Sequence, residues 1–237
     1  MNSDLIKAKL KASGIHLLIS TVIFFGILYL ILVEWYPGIF FTAEGGWDGI
    51  KLMAAVDLVL GPSLTFIIYN HTKAKKEILL DLSLVAVLQV SALIWGGLQV
   101  YSERPVALVM WDGIFYTVTE DYYNKQNISV RDIAIYSDEE PLLIYAHSDQ
   151  TLEQLEELQK LNGENIPPYA QVHLYKSIKE HQEEVFKNKI SADAWSIYLQ
   201  EDTIKENDNV FLGKAKYKDL LIYLDPQAQL VKITQRN

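Results

Sequence analysis

The stretch Ile15–Trp35, IHLLISTVIFFGILYLILVEW, decides how the rest of the chain is read. It holds one acid at its far end and no Lys or Arg. A bilayer core is about 30 Å thick and needs about 20 apolar residues in a helix, so this stretch is predicted to span a membrane. A cleaved leader is not expected. The apolar core is too long, and Glu34-Trp35-Tyr36-Pro37 offers no small-residue cleavage site.

Working outward, two more stretches meet the same length, roughly 50–69 and 78–101. Trp35, Tyr36, Trp47, Tyr69 and Tyr101 sit at the edges, where rings with a polar handle prefer the interface. Lys7, Lys9 and Lys11 precede the first span, and Lys73, Lys75 and Lys76 separate the second from the third. The loop between the first two, Pro37–Gly49, carries Glu44 and Asp48 and no basic residue. The positive-inside rule then predicts a cytoplasmic N-terminus, and three crossings place the remainder outside, in a periplasm where there is one. Lys51 lies on the outer side and can snorkel.

The expected architecture is a membrane α-helical bundle of three transmembrane helices over 1–103, followed by a soluble α+β domain over 104–237. Charge divides at the same place. Basic and acidic residues balance over 1–104, and 105–237 carry the whole net charge of −9. Such a domain repels nucleic-acid phosphates and an anionic lipid surface. Neither nucleic acid nor a cofactor is an expected partner; the membrane part meets lipid. The chain has no cysteine, which removes disulfides and thiol chemistry.

In the soluble part, Arg104-Pro105 ends the third helix. Val106–Met110 and Ile114–Thr119 flank Asp112-Gly113 and read as a hairpin. Pro141–Ala146 reads as a strand, and Tyr217–Leu224 with Leu230–Thr234 as a closing hairpin around Asp225-Pro226. Thr151-x-x-Gln154 and Ser177-x-x-Glu180 resemble capping boxes that start helices, the first stopped by Asn162-Gly163. Ser191 is expected to cap a third short helix through Trp195 and Leu199. The domain is long enough to fold alone.

Catalytic and metal motifs are absent from the sequence. None of His16, His71, His147, His173 and His181 falls in a zinc spacing, and there is no nucleophile elbow, Walker loop or dinucleotide fingerprint. Asp138-Glu139-Glu140 and the glutamates near Glu184 read as solvated faces. Asn127-Ile128-Ser129 matches a glycosylation triplet, which arises often by chance. The informative residues lie in the spans. Asp57 sits near the bilayer midplane, where a charge costs about 3 kcal/mol, so it faces the interior with a partner. Gln89 lies at a similar depth and is the expected partner. Gly61-Pro62 follows, and Pro62 is expected to kink the span by opposing the Leu58 carbonyl. Asp57 then ties the helices together or docks another membrane helix; a transport or protease site is a third option, for which three helices with one acid are thin material.

Lys9-x-Lys11-Ala12-x-Gly14-x-His16-Leu17-Leu18-x-Ser20 and Trp35-Tyr36-Pro37 resemble the TfpX/TfpZ family of type IV pilin accessory proteins. Val56-Asp57-x-Val59-Leu60-Gly61-Pro62-x-Leu64-Thr65 is similar to the same family, as are Lys75-Lys76, Asp81-Leu82, Gln89-x-x-Ala92-Leu93 and Arg104-Pro105-Val106. The resemblance covers residues 1–110. It implies a non-enzymatic factor of a bacterial inner membrane, with a periplasmic C-terminal domain, that helps a cognate pilin persist or assemble. Beside it, an intramembrane helix contact built on His16, Asp57, Gly61, Pro62 and Gln89 is expected. A competing expectation is an integral-membrane enzyme that modifies pilin or its glycan, for which no set of catalytic residues can be named.

Overall fold

The computed structural model describes residues 3–191 and 209–236. The expected helix after Ser191 lies outside the described residues. In chain order the helices are α1 (Ser3–Tyr29), α2 (Phe40–Ala43), α3 (Gly46–Ala54), α4 (Gly61–Ile68), α5 (Lys75–Ser102), α6 (Glu120–Lys125), α7 (Val130–Ile133), α8 (Leu152–Gly163) and α9 (Gln182–Phe186). The strands are β1 (Pro105–Trp111), β2 (Ile114–Thr119), β3 (Leu142–Ala146), β4 (Tyr175–Ser177), β5 (Asn209–Lys214), β6 (Asp219–Leu224) and β7 (Leu230–Gln235). They form two compact units, Met1–Pro37 with Gly46–Tyr101, and Gly38–Gly45 with Ser102–Asn237.

The first unit contains three helical runs long and apolar enough to cross a membrane, Ser3–Trp35, Gly46–Ile68 and Lys75–Ser102. Two carry a wide turn. α1 passes into a π-helical turn at Leu30–Trp35, and α3 reaches α4 through another at Ala55–Leu60. The second of these shows how the chain accommodates Pro62. The Gly61 amide bonds back five residues to Val56. The next amide in that pattern would come from residue 62, and proline has none. The expected opposition to the Leu58 carbonyl is thus replaced by a π turn that leaves the Asp57 carbonyl without a backbone donor. α5 buries only Val85 among its own residues, so its apolar surface faces outward, as lipid contact permits.

The second unit is built on a seven-stranded mixed sheet in the order β4-β3-β1-β2-β5-β6-β7. β1 and β2 form the expected hairpin, with Asp112 (φ 49°) and Gly113 (φ 81°) both left-handed, as a tight two-residue turn requires. β1 pairs β3 in parallel, and β2 pairs β5 in parallel through Phe115/Gly213 and Tyr116/Lys214. Both faces of β1 are buried. Leu108 and Met110 join Phe115, Leu143, Phe211 and Ile222 on one face, while Ala107 and Val109 join Tyr123, Ile133, Leu161 and Leu174 on the other. That explains why Val106–Met110 is a continuous apolar run rather than an alternating one.

Two local expectations change. Ser177 does not start a helix: it ends β4, paired with Ile144 of β3, and Ile178 is buried in the core. α9 begins later, at Gln182. At α8, Thr151 accepts from the Gln154 amide, but the Gln154 side chain accepts from the Asp149 amide, so only half a capping box forms. A complete box appears at α7, where Ser129 and Asp132 bond reciprocally and occupy the hydroxyl of the glycosylation-like triplet.

The largest difference concerns the loop between the first two spans. α2 belongs to the second unit. Phe40 and Ala43 are buried in the same cluster as Leu108, Met110 and Phe211. Tyr217 bonds through its amide to the Ala43 carbonyl at 3.0 Å, and Thr117 of β2 donates to the Glu44 carboxyl. A segment that reads as a short connector therefore supplies part of this domain's core.

Candidate functional site within the membrane helices

One face of α1 carries a polar stripe. Lys9, Ser13, His16 and Ser20 follow each other at intervals of four, three and four, so they share a helix face. Each side chain on this face has an interhelical bond. Lys9 Nζ donates to the Ile67 carbonyl at 2.8 Å, near the end of α4, where cations suit the exposed carbonyls. Ser13 donates to the Pro62 carbonyl at 2.9 Å. His16 Nδ1 meets Thr65 Oγ1 at 2.6 Å and His16 Nε2 meets Gln89 Oε1 at 2.7 Å.

Gln89 closes the cluster from α5. Its amide nitrogen lies 3.1 Å from Ser20 Oγ, 3.2 Å from Asp57 Oδ1 and 3.4 Å from the Asp57 carbonyl. The last is the carbonyl orphaned by Pro62, so one side chain from another helix serves a backbone group that proline left unpaired. The arrangement fixes roles. An amide nitrogen facing Asp57 leaves the Gln89 carbonyl as acceptor for His16 Nε2–H. In the tautomer that carries its hydrogen on Nε2, the ring accepts from the Thr65 hydroxyl at Nδ1. Donors and acceptors run in one sense from Thr65 to Asp57, which strengthens each bond in turn.

Gly61 makes this possible. A Cβ there would stand 2.8 Å from Gln89 Cδ and 2.9 Å from Nε2, closer than packed atoms come. Glycine lets the amide of α5 approach the backbone of the second span. Ser20, Asp57 and Thr65 are only 4, 3 and 2% exposed. Asp57 Oδ2 has no hydrogen-bond partner among the described residues.

The structure thus gathers His16, Asp57, Gly61, Pro62 and Gln89 into one cluster, and adds Lys9, Ser13, Ser20 and Thr65, which sequence reading did not single out. The signal for them was present as the four-three-four stripe on α1. No group of metal-ligating residues occurs among the described residues. The hydrogen bonds of the cluster join α1 to the second span and to α5.

Fold and site together define a membrane protein whose three helices are joined by a buried polar cluster and which carries an α+β domain. No protein-family profile matches the chain, and no solved structure does. Three proteins of Dichelobacter nodosus are each 38% identical to it over 109 residues, or 46% of this chain. They are the fimbrial assembly proteins of serogroup E1, of serogroups C1 and C2, and of serogroup I. The match spans 83% of the C1 and C2 protein, and 42% of the other two, so the chain covers less than half the length of those. The chain belongs to this family of fimbrial assembly proteins.

Proposed function

We propose that this chain is a membrane-embedded accessory factor of type IV pilus biogenesis, placed with the TfpX/TfpZ group, that helps a cognate pilin persist or assemble without catalysing a reaction itself. The observation that carries the reading is the 38% identity to fimbrial assembly proteins over 109 residues. In this reading the bundle lies in a bacterial inner membrane with the N-terminus cytoplasmic and the second unit periplasmic, as the lysine asymmetry supports. A pilin waiting in the membrane has a spanning helix and an external head. A factor with both a helical bundle and an external domain engages both, and two linked weak contacts raise effective concentration. Asp57 lies inside its own bundle, so the polar cluster serves by holding the shape that the partner meets.

The test is co-purification from membranes with a candidate type IV pilin, compared with an unrelated single-span protein of similar length. Retention of the pilin alone, and fewer surface pili when the chain is deleted, is the expected result. Equal recovery of both proteins, or undiminished piliation after deletion, sinks the reading.

A further inference from the structure

The second unit holds a cleft outside the intramembrane cluster. It opens where β2 and β5 stop pairing: the strands run parallel, bond through Phe115/Gly213 and Tyr116/Lys214, and then part. Space outside the carboxyl ends of diverging strands is where α/β sheets hold ligands. The cleft measures about 430 Å³, within the range of small-ligand sites.

Its lining narrows the ligand. One wall carries the rings of Tyr116 and Tyr169, stacked 2° from parallel with centroids 4.2 Å apart, with Tyr122 also in the lining. Burial, then the neighbouring Tyr122 and Tyr116 hydroxyls and Glu44, push the Tyr169 hydroxyl up to about 12, so it is a neutral donor. Most of the charges are already matched: Lys125 with Asp121 at 2.6 Å, and Lys216 with Glu103 at 3.8 Å. Lys214 is exposed and has no ion-pair partner among the described residues. A polyanion finds too few free cations here. What fits is a compact ligand with an apolar ring face, several hydroxyls and at most one negative charge.

We propose that this cleft binds a saccharide unit, its C–H face against an outward face of the Tyr116–Tyr169 stack and an acidic substituent toward Lys214. Pyranose C–H groups are weakly positive and pack on the negative face of an aromatic ring, while ring hydroxyls satisfy polar groups that a purely apolar ligand would strand. The proposal does not depend on the pilus reading.

The experiment titrates the full chain, in lauryldimethylamine oxide micelles that carry no sugar headgroup, with N-acetylneuraminic acid, N-acetylglucosamine trimer and acetate, read by saturation-transfer NMR. Both sugars are expected to bind with Kd of about 1 mM, and Tyr116→Ala to weaken both by about tenfold. Lys214→Ala, an exposed change that leaves the fold alone, is expected to weaken the acidic sugar about fivefold and spare the neutral trimer. No saturation transfer to either sugar at about 20 mM overturns the proposal. So does acetate binding as tightly as the sugars, which reduces the cleft to an anion site. Sugar binding that survives both Tyr116→Ala and Lys214→Ala unchanged overturns it as well.

Discussion

Replacing Gln89 by leucine tests the intramembrane cluster most directly. Gln89 bonds His16 at 2.7 Å, Ser20 at 3.1 Å, and both the side chain and carbonyl of Asp57 at 3.2 and 3.4 Å. The amide nitrogen has two hydrogens to share among its three contacts, so at about 0.6 kcal/mol per interhelical bond in membranes the loss sums to about 2 kcal/mol. Leucine recovers little, since lipid is as apolar as its side chain. The Asp57 carbonyl and the His16 N–H are then left unpaired inside the bundle. The expected cost is therefore about 2–3 kcal/mol, a drop of roughly two decades in the folding constant. Reversible unfolding of the full chain in mixed micelles titrated with dodecyl sulfate, followed by circular dichroism, measures it. A double-mutant cycle with Asp57→Leu separates the pair from the site. Removing both partners should cost less than the sum of the single changes by about 1 kcal/mol. A Gln89→Leu variant within about 0.5 kcal/mol of the parent, or a strictly additive cycle, would refute the cluster as the tie between the helices.

Three further outcomes are expected. Reporter fusions after residue 237 should behave as periplasmic and fusions near Lys75 as cytoplasmic; the opposite pattern overturns the orientation drawn from the lysines. Phe40→Ala should destabilise the second unit by about 3 kcal/mol because Phe40 is buried beside Leu108 and Phe211. A fragment beginning at Ser102 should accordingly unfold at lower temperature than one carrying residues 38–45 through a flexible linker, and equal melting of the two would remove the loop from the core. Burial pushes the Glu44 carboxyl above the usual range, against the Thr117 bond that lowers it. A folded state that holds this proton more tightly than the unfolded chain is most stable below the ordinary glutamate pKa and loses that stability as pH rises through the raised value. Glu44→Gln should match the parent in acid and exceed it in melting temperature above that window; identical melting across the pH series would count against the buried carboxyl.

The three spans were legible because hydrocarbon accepts only long apolar helices that satisfy their own backbone, so length and composition decide. The pairing of Asp57 with Gln89 was legible for a related reason. A polar group at midplane depth has nowhere to go except another polar group at the same depth. The first hairpin and the closing pair of β6 and β7 followed from turn chemistry, which is local. β5 was not read from the sequence, although Asn207-Asp208-Asn209 before Val210–Leu212 is a turn signal.

Other features belonged to tertiary structure. Ser177 carries a capping signal, yet pairing with β3 claimed it for a strand, since long-range bonds override a weak local preference. The π turn before Pro62 depends on Gln89 arriving from another helix to serve the orphaned carbonyl. Gly61 reads as a helix breaker by itself and becomes a close-approach site only when α5 lies against it. Phe40–Ala43 has the apolar character of a span's edge, and nothing local distinguishes an interface from a core. The sequence by itself determined which segments enter the membrane, because that partition is set by the segment's own polarity. Only the tertiary structure decided that Phe40 and Ala43 complete the sheet's core and that nine scattered residues form one polar cluster, because both depend on which surfaces meet after the elements have formed.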